Sequence, residues 1–217
     1  MCVSSAINYF QKTGRSNLNY QFPCEIALFA MLAALSKKPK QYFLAIIPPS
    51  PVYEEALELK HYFKTRYNSK ASLNSPPHIT LHMPFRWRED KESELIDTLN
   101  EFESGLRPFD MQLLNFNSFP PRVIFIDVVA NEQLAALQKK LLRFCKKELN
   151  LFNADYKDQP FHPHLTLAFR DLKKSMFAEA WEEFNSKSFS ATFRIEKFTL
   201  LKHNGKVWQP YSEIKLQ

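Results

Sequence analysis

Apolar positions along the chain recur with two periods, and the alternation between them predicts the elements in order. Residues 41–47 form an apolar and aromatic run stopped by Pro48-Pro49, as expected of a strand. Residues 52–66 place Val52, Ala56, Leu59 and Phe63 on one helical face. After Pro76-Pro77, segment 78–83 alternates polar and apolar as a half-buried strand does. A charged helix follows with Leu95, Ile96, Leu99 and Phe102 inward, and residues 109–119 read as one extended element. The pattern then returns. Residues 122–129 predict a strand, 131–149 an amphipathic helix through Leu134, Leu137, Leu141 and Phe144, and 163–169 another strand. A helix over 172–185 turns Met176, Phe177, Ala180, Trp181 and Phe184 inward. Strands over 189–195, 198–201 and 208–214 follow, the last two joined by a turn at Asn204-Gly205.

The order strand, helix, His-x-Thr strand, helix therefore occurs twice. Phe43 precedes His78 by 35 positions and Phe125 precedes His164 by 39. Two alike halves, each needing cover for its sheet, predict an α+β fold of two pseudo-symmetric lobes, each an antiparallel sheet with helices on its outer face. We read residues 41–217 as a single bilobal domain and residues 1–40 as an N-terminal extension. Within that extension, 26–35 is the longest uncharged apolar run, far short of the roughly 20 residues that span a bilayer. A secretory leader fits its length, but Glu25 sits at its edge and Lys37 and Lys38 lie on its wrong side. A short amphipathic helix, or a start codon assigned too early with Met31 as the true start, fits better.

Composition narrows the chemistry. Only three glycines, Gly14, Gly105 and Gly205, are present in 217 residues, so neither a phosphate-cradling loop nor a dinucleotide fingerprint can form. That excludes P-loop NTPases, kinases and Rossmann dehydrogenases. The formal net charge is +6, but Lys12, Arg15, Lys37, Lys38 and Lys40 against Glu25 put +4 of it in the first forty residues. The near-neutral remainder advertises no broad duplex-binding face, although a few cations around one phosphate remain compatible with it. Cys2, Cys24 and Cys145 form no CxxC pair, and Cys145 falls on an apolar helical stripe, which suits a reducing cytoplasm.

The chemistry concentrates in His78-Ile79-Thr80-Leu81 and His164-Leu165-Thr166-Leu167. Side chains at i and i+2 of a strand share a face, so each motif presents an imidazole and a hydroxyl together while its apolar residues anchor the other side. A single such triplet is commonly structural. Two copies, each after proline, each followed by leucine and each at the same place in a repeat, point to a shared groove. One imidazole can take a proton from a nucleophile while the other gives one to a leaving oxygen. Hydroxyls donate to the non-bridging oxygens where charge gathers.

These residues resemble the 2H phosphoesterases, and among them the bacterial 2′-5′ RNA ligase-like proteins. The resemblance spans residues 41–214 and rests on PPHITLHMPF and FHPHLTLAFR, on the YFLAIIPP strand and on the order of elements. It implies two pseudo-symmetric lobes with the HxT strands lining a central cleft, and metal-independent action on cyclic or 2′-5′ phosphodiester bonds of RNA-like substrates. His78 and His164 would then be catalytic, and Thr80 and Thr166 would grip phosphate. Many relatives carry an arginine one position earlier after the second motif, where this chain has Phe169 and then Arg170. The resemblance further implies no cofactor, an RNA or small nucleotide with a cyclic phosphate as partner, and no membrane; a monomer in the cytoplasm is expected.

His82 lies two residues beyond Thr80 and His162 two before His164, so both are expected on the motif face, as groove or substrate contacts. Four imidazoles around one groove make a zinc or other transition-metal site the rival reading. That reading leaves both threonines unexplained, and we assign no metal. Phe161 and Trp87 flank the motifs as candidate base-stacking residues, with Arg170 as a candidate cationic contact. A noncatalytic RNA-end-binding module is the other alternative, but pure binding needs no pair of proton-transfer groups.

Overall fold

The computed structural model describes residues 39–153 and 160–216; the leader, helix and start-site expectations for the first residues, with Cys2 and Cys24, lie outside them. Within the described residues the chain runs β1 (Pro39–Ile46), α1 (Val52–Tyr67), β2 (Ile79–Arg88), α2 (Glu92–Asn100), β3 (Phe109–Phe119), β4 (Val123–Val128), α3 (Glu132–Glu148), β5 (His164–Ala168), α4 (Lys174–Phe184), β6 (Ser190–Ile195), β7 (Lys197–His203) and β8 (Trp208–Lys215). This is the α+β class expected from the periodicity.

All eight strands join one antiparallel sheet in the order β6-β3-β4-β5-β2-β1-β7-β8. Four strands come from each half, and β5 and β2 meet at the centre. Their contact is a single registered pair, Ile79 opposite Leu165. The two lobe sheets expected from the sequence are thus fused at one point. α1 packs against β5 and α3 against β2, so each half's helix covers the other half's motif strand. Ile79, Leu81, Leu165 and Leu167 are fully buried on that helical side and belong to the main core.

The helices carry the repeat at finer grain. Buried positions 56, 60, 63 and 67 of α1 recur as 134, 138, 141 and 145 of α3, a constant offset of 78. Six of these eight are apolar or Tyr/Cys; the remaining two, Lys60 and Gln138, occupy the same place in each half. Asn131 caps α3 by accepting from the Leu134 amide at 2.9 Å, and Asn68, in the left-handed region, ends α1.

β2 runs five residues beyond the expected end at 83, through Pro84 to Arg88. Proline has no N–H for the ladder, so it fits only at an edge or a bulge. The β1–β2 register shifts between the pairs Tyr42–Phe85 and Leu44–His82, and again before Ala45–Thr80. Each shift inserts an unmatched β2 residue and reverses which face the following side chains occupy.

Candidate active site

The pairing of Ile79 with Leu165 fixes the geometry of the two motifs. Continuing that antiparallel register by one residue each way sets His78 opposite Thr166 and Thr80 opposite His164. All four lie on the face away from buried Ile79 and Leu165 and are half-buried. A cleft of about 230 Å³ opens there, with His78, Thr80 and Thr166 among its lining residues.

Both imidazoles are oriented in the same way. His78 Nδ1 lies 2.7 Å from the Pro76 carbonyl and His164 Nδ1 lies 2.8 Å from the His162 carbonyl. A carbonyl can only accept, so in each ring Nδ1 carries the hydrogen and Nε2 of the neutral form keeps its lone pair. An aromatic ring supports each: Phe43 lies 4.9 Å from His78, and Phe125 lies 4.8 Å from His164. Burial pushes the His78 pKa down to about 4, helped by the nearby Lys60 cation and opposed by the Pro76 carbonyl. Burial also lowers His164; the carbonyl of His162 and the carboxylate of Asp127 work against that, and the His162 ring works with it. Both rings are therefore neutral at pH 7 and able to accept a proton at Nε2.

Sequence reasoning missed Lys60. Its side chain is 1% exposed, and Nζ donates to the carbonyls of Ser72 and Ser75 at 3.0 and 3.1 Å while lining the cleft. Burial pulls its pKa down to about 7. The signal was present: 52, 56, 60, 63 and 67 form the buried stripe of α1, and a lysine on such a stripe is exceptional. The expected face used Leu59, one position away and only partly buried. Lys60 holds the stretch that leads into His78, whose Pro76 carbonyl orients the ring.

The other candidates separate. Arg170 lines the cleft, held at φ 56° and stacked over the Phe169 ring at 5.0 Å. His162 is exposed beside His164, with ring centroids 6.2 Å apart and Nε2 3.5 Å from Asp127 Oδ1. Phe161 packs partly buried against the core. His82 departs from expectation: it is fully buried, its Nδ1 donates to the Met83 carbonyl at 2.8 Å, and its ring packs on Phe85. The bulge at Leu81, between Thr80 and His82, breaks the i, i+2 parity that would have put it in the groove. Trp87 departs as well, since it pairs with Lys40 at the far end of β2 and donates to the Lys91 carbonyl. With His82 in the core, four imidazoles do not surround one groove.

Residues 48–207 match the family model described as the 2′-5′ RNA ligase superfamily. The chain belongs to this superfamily. A phosphoesterase candidate of Oceanobacillus iheyensis is 29% identical over 163 residues, covering 74% of this chain and 88% of that protein. One of a Geobacillus species is 26% identical over 163 residues, covering 74% and 87%. Among solved structures, Escherichia coli LigT complexed with 3′-AMP has a TM-score of 0.53 at 17% identity, covering 83% of this chain and 99% of that one. TT0787 of Thermus thermophilus has a TM-score of 0.54 at 22% identity, covering 81% and 97%. These two likenesses establish the shared fold. Membership in the 2′-5′ RNA ligase superfamily makes the chain an enzyme of phosphoester chemistry, a phosphoesterase or RNA ligase-like protein.

Proposed function

We propose that this superfamily member hydrolyses 2′,3′-cyclic phosphate ends of RNA-like substrates to monoesters without a metal, and that the same groove supports reversible 2′-5′ ligation, in which a 5′-hydroxyl takes the place of water. The observation that carries the reading is the pairing of Ile79 with Leu165, which brings the two motifs side by side, with His78, Thr80 and Thr166 lining one cleft. A phosphate seated between the two pairs meets a hydroxyl donor and an imidazole from each half. One histidine accepts a proton at Nε2 from water as its oxygen attacks phosphorus. The P–O bond to one ribose oxygen breaks, and the other histidine protonates that oxygen. The anionic phosphate opposes the depression of the histidine pKa values, so the acid is charged only in the substrate's company. Thr80 and Thr166 donate to the non-bridging oxygens. The domain is residues 41–217, acting as a monomer in the cytoplasm. That LigT was crystallised with 3′-AMP supports a nucleotide-sized ligand. Among the described residues no helix is long and apolar enough to cross a membrane.

The test is hydrolysis of 2′,3′-cyclic nucleotides by wild type, His78→Ala and His164→Ala, with and without EDTA, resolving 2′- from 3′-phosphate products. EDTA-resistant turnover lost in both variants is expected, and the isomer identifies the ribose oxygen that leaves. A His78→Ala enzyme with near-full rate on every cyclic substrate would falsify the mechanism. EDTA-sensitive turnover would move the chemistry to a metal, and tight RNA-end binding without turnover would leave a binding module.

A further inference from the structure

The cleft does not end at the histidines. A second compartment of about 310 Å³ adjoins it, and Ser75, Pro84, Phe169, Arg170 and Trp208 line both. Five shared walls make the two one continuous groove. The second compartment adds Lys206, His203, Asn74 and Gln41, and neither compartment has an Asp or Glu among its lining residues. In a domain whose charge is otherwise nearly balanced, an acid-free groove with cations at its outer end selects anions.

Both cations are held in place. Arg170 adopts φ 56°, a left-handed conformation that is strained for a non-glycine residue. The next residue holds it there: the Asp171 carboxylate accepts from Ser69 Oγ at 2.8 Å and from the Lys70 and Ala71 amides at 2.8 and 2.9 Å. Lys206 sits on the β7–β8 turn, where Asn204 Oδ1 accepts from the Lys206 and Val207 amides, both at 2.9 Å. Among the described residues neither cation has a carboxylate partner, and Arg170 stacks only on Phe169. Strain retained at an unpaired arginine, at the junction of two compartments, marks a built contact. Trp208 lines both compartments, edge-on to Phe43 at 4.7 Å and 4.9 Å from the His203 ring.

We infer that Arg170 and Lys206 form a second anion subsite, which grips the phosphate on O5′ of the nucleotide whose cyclic phosphate is held by the two histidines. The inference rests on the proposed function of that site and names what it selects: a substrate with phosphate at both ends of its terminal nucleotide. Two sources carry that group, an RNA end through its last phosphodiester and a free cyclic nucleotide with a 5′-phosphate.

Three substrates separate these cases: adenosine 2′,3′-cyclic phosphate, its 5′-phosphorylated form, and the dinucleotide ending in the same cyclic phosphate. In wild type both 5′-substituted substrates are expected to exceed the first in kcat/KM by at least tenfold. The Arg170→Gln, Lys206→Gln double variant is expected to bring the ratio near one. Lys139→Gln, an exposed charge on α3, controls for net charge and keeps the ratio. Equal turnover of all three by wild type overturns the subsite, as does a preference that survives in the double variant. The preferred member of the 5′-substituted pair tells an RNA end from a free nucleotide, and either result supports the shared chemistry. Should no substrate turn over, the proposed function fails while the subsite is still read by calorimetry. Adenosine 3′,5′-bisphosphate then binds wild type at least tenfold tighter than adenosine 3′-monophosphate, and the double variant does not discriminate. Equal affinities in wild type sink the subsite.

Discussion

In the half built from β1, α1 and β2, a buried cation, Lys60, acts on His78. In the half built from β4, α3 and β5, the same helical position holds Gln138, and the charged neighbour of the histidine is the carboxylate of Asp127. Backbone geometry is copied between the halves: one bridge, two Nδ1-to-carbonyl bonds, two supporting phenylalanines. Electrostatics is not copied. A scaffold that repeats its strands thus presents two chemically equivalent imidazoles, and single side chains outside the motifs make them unequal.

The largest effects should come from the motif itself. His78→Ala and His164→Ala are each expected to lower turnover of a cyclic substrate by roughly 10²–10⁴. Steady-state rates on one substrate check this, and a variant retaining a tenth of the activity breaks the equivalence of the halves. Next comes the seam that joins them. Ile79→Ala and Leu165→Ala each remove a fully buried side chain and should cost about 3 kcal/mol, measured by denaturant unfolding. A loss under about 1 kcal/mol at either would mean the halves are not packed through that pair.

Lys60→Met sharpens the asymmetry. Without the cation the His78 pKa should rise from about 4, seen in an NMR titration of its ring, and turnover should fall as the Ser72 and Ser75 carbonyls lose their donor. The matched Gln138→Met should leave the His164 titration in place; equal movement at both rings would refute a local effect.

Smaller still is the pH dependence of stability. A histidine whose folded pKa is about 4 against roughly 6.5 unfolded binds fewer protons folded than unfolded between those values. Its contribution is complete above pH 6.5 and is lost as pH falls towards 4. Lys60 has the same sign in a higher window. With a folded pKa of about 7 against roughly 10.4 unfolded, the penalty for its burial is full below pH 7 and relieved as pH rises towards 10.4. Thermal melts across pH 4–10 should show the lower slope shrink in His78→Ala, the rest coming from the lowered His82 and His164, and the upper one shrink in Lys60→Met.

The periodic elements and the paired motifs were legible because each depends on local spacing. Phe109 to Phe119, the second motif strand and the amphipathic stripe of α3 all fall where period alone puts them, and the first motif strand starts where expected. His82 was not legible, since a bulge between Thr80 and His82 overturns the parity that a regular strand guarantees, and only the nearby Pro84 hinted at irregularity in this strand. Trp87 reads as a neighbour of the motif in sequence, but ten residues of extended β2 carry it to the far end of the strand. Lys60 was hidden by an error of one residue in the helical face, which made a buried ammonium look like a solvated one. The second compartment depends on Lys206, more than a hundred residues from the first motif, and no local pattern reaches that far.

The single bridge between β2 and β5 also has a mechanical meaning. Strands lie about 4.8 Å apart, so the histidine–threonine pairs sit only about 2.4 Å from the pseudo-axis, while β6 and β8 lie about 17 Å from it. Turning one half by about 5° would displace the outer strands by about 1.5 Å and the motif residues by about 0.2 Å. The proposed catalytic groups are mounted at the fulcrum, where a twist of the periphery would leave their alignment almost untouched.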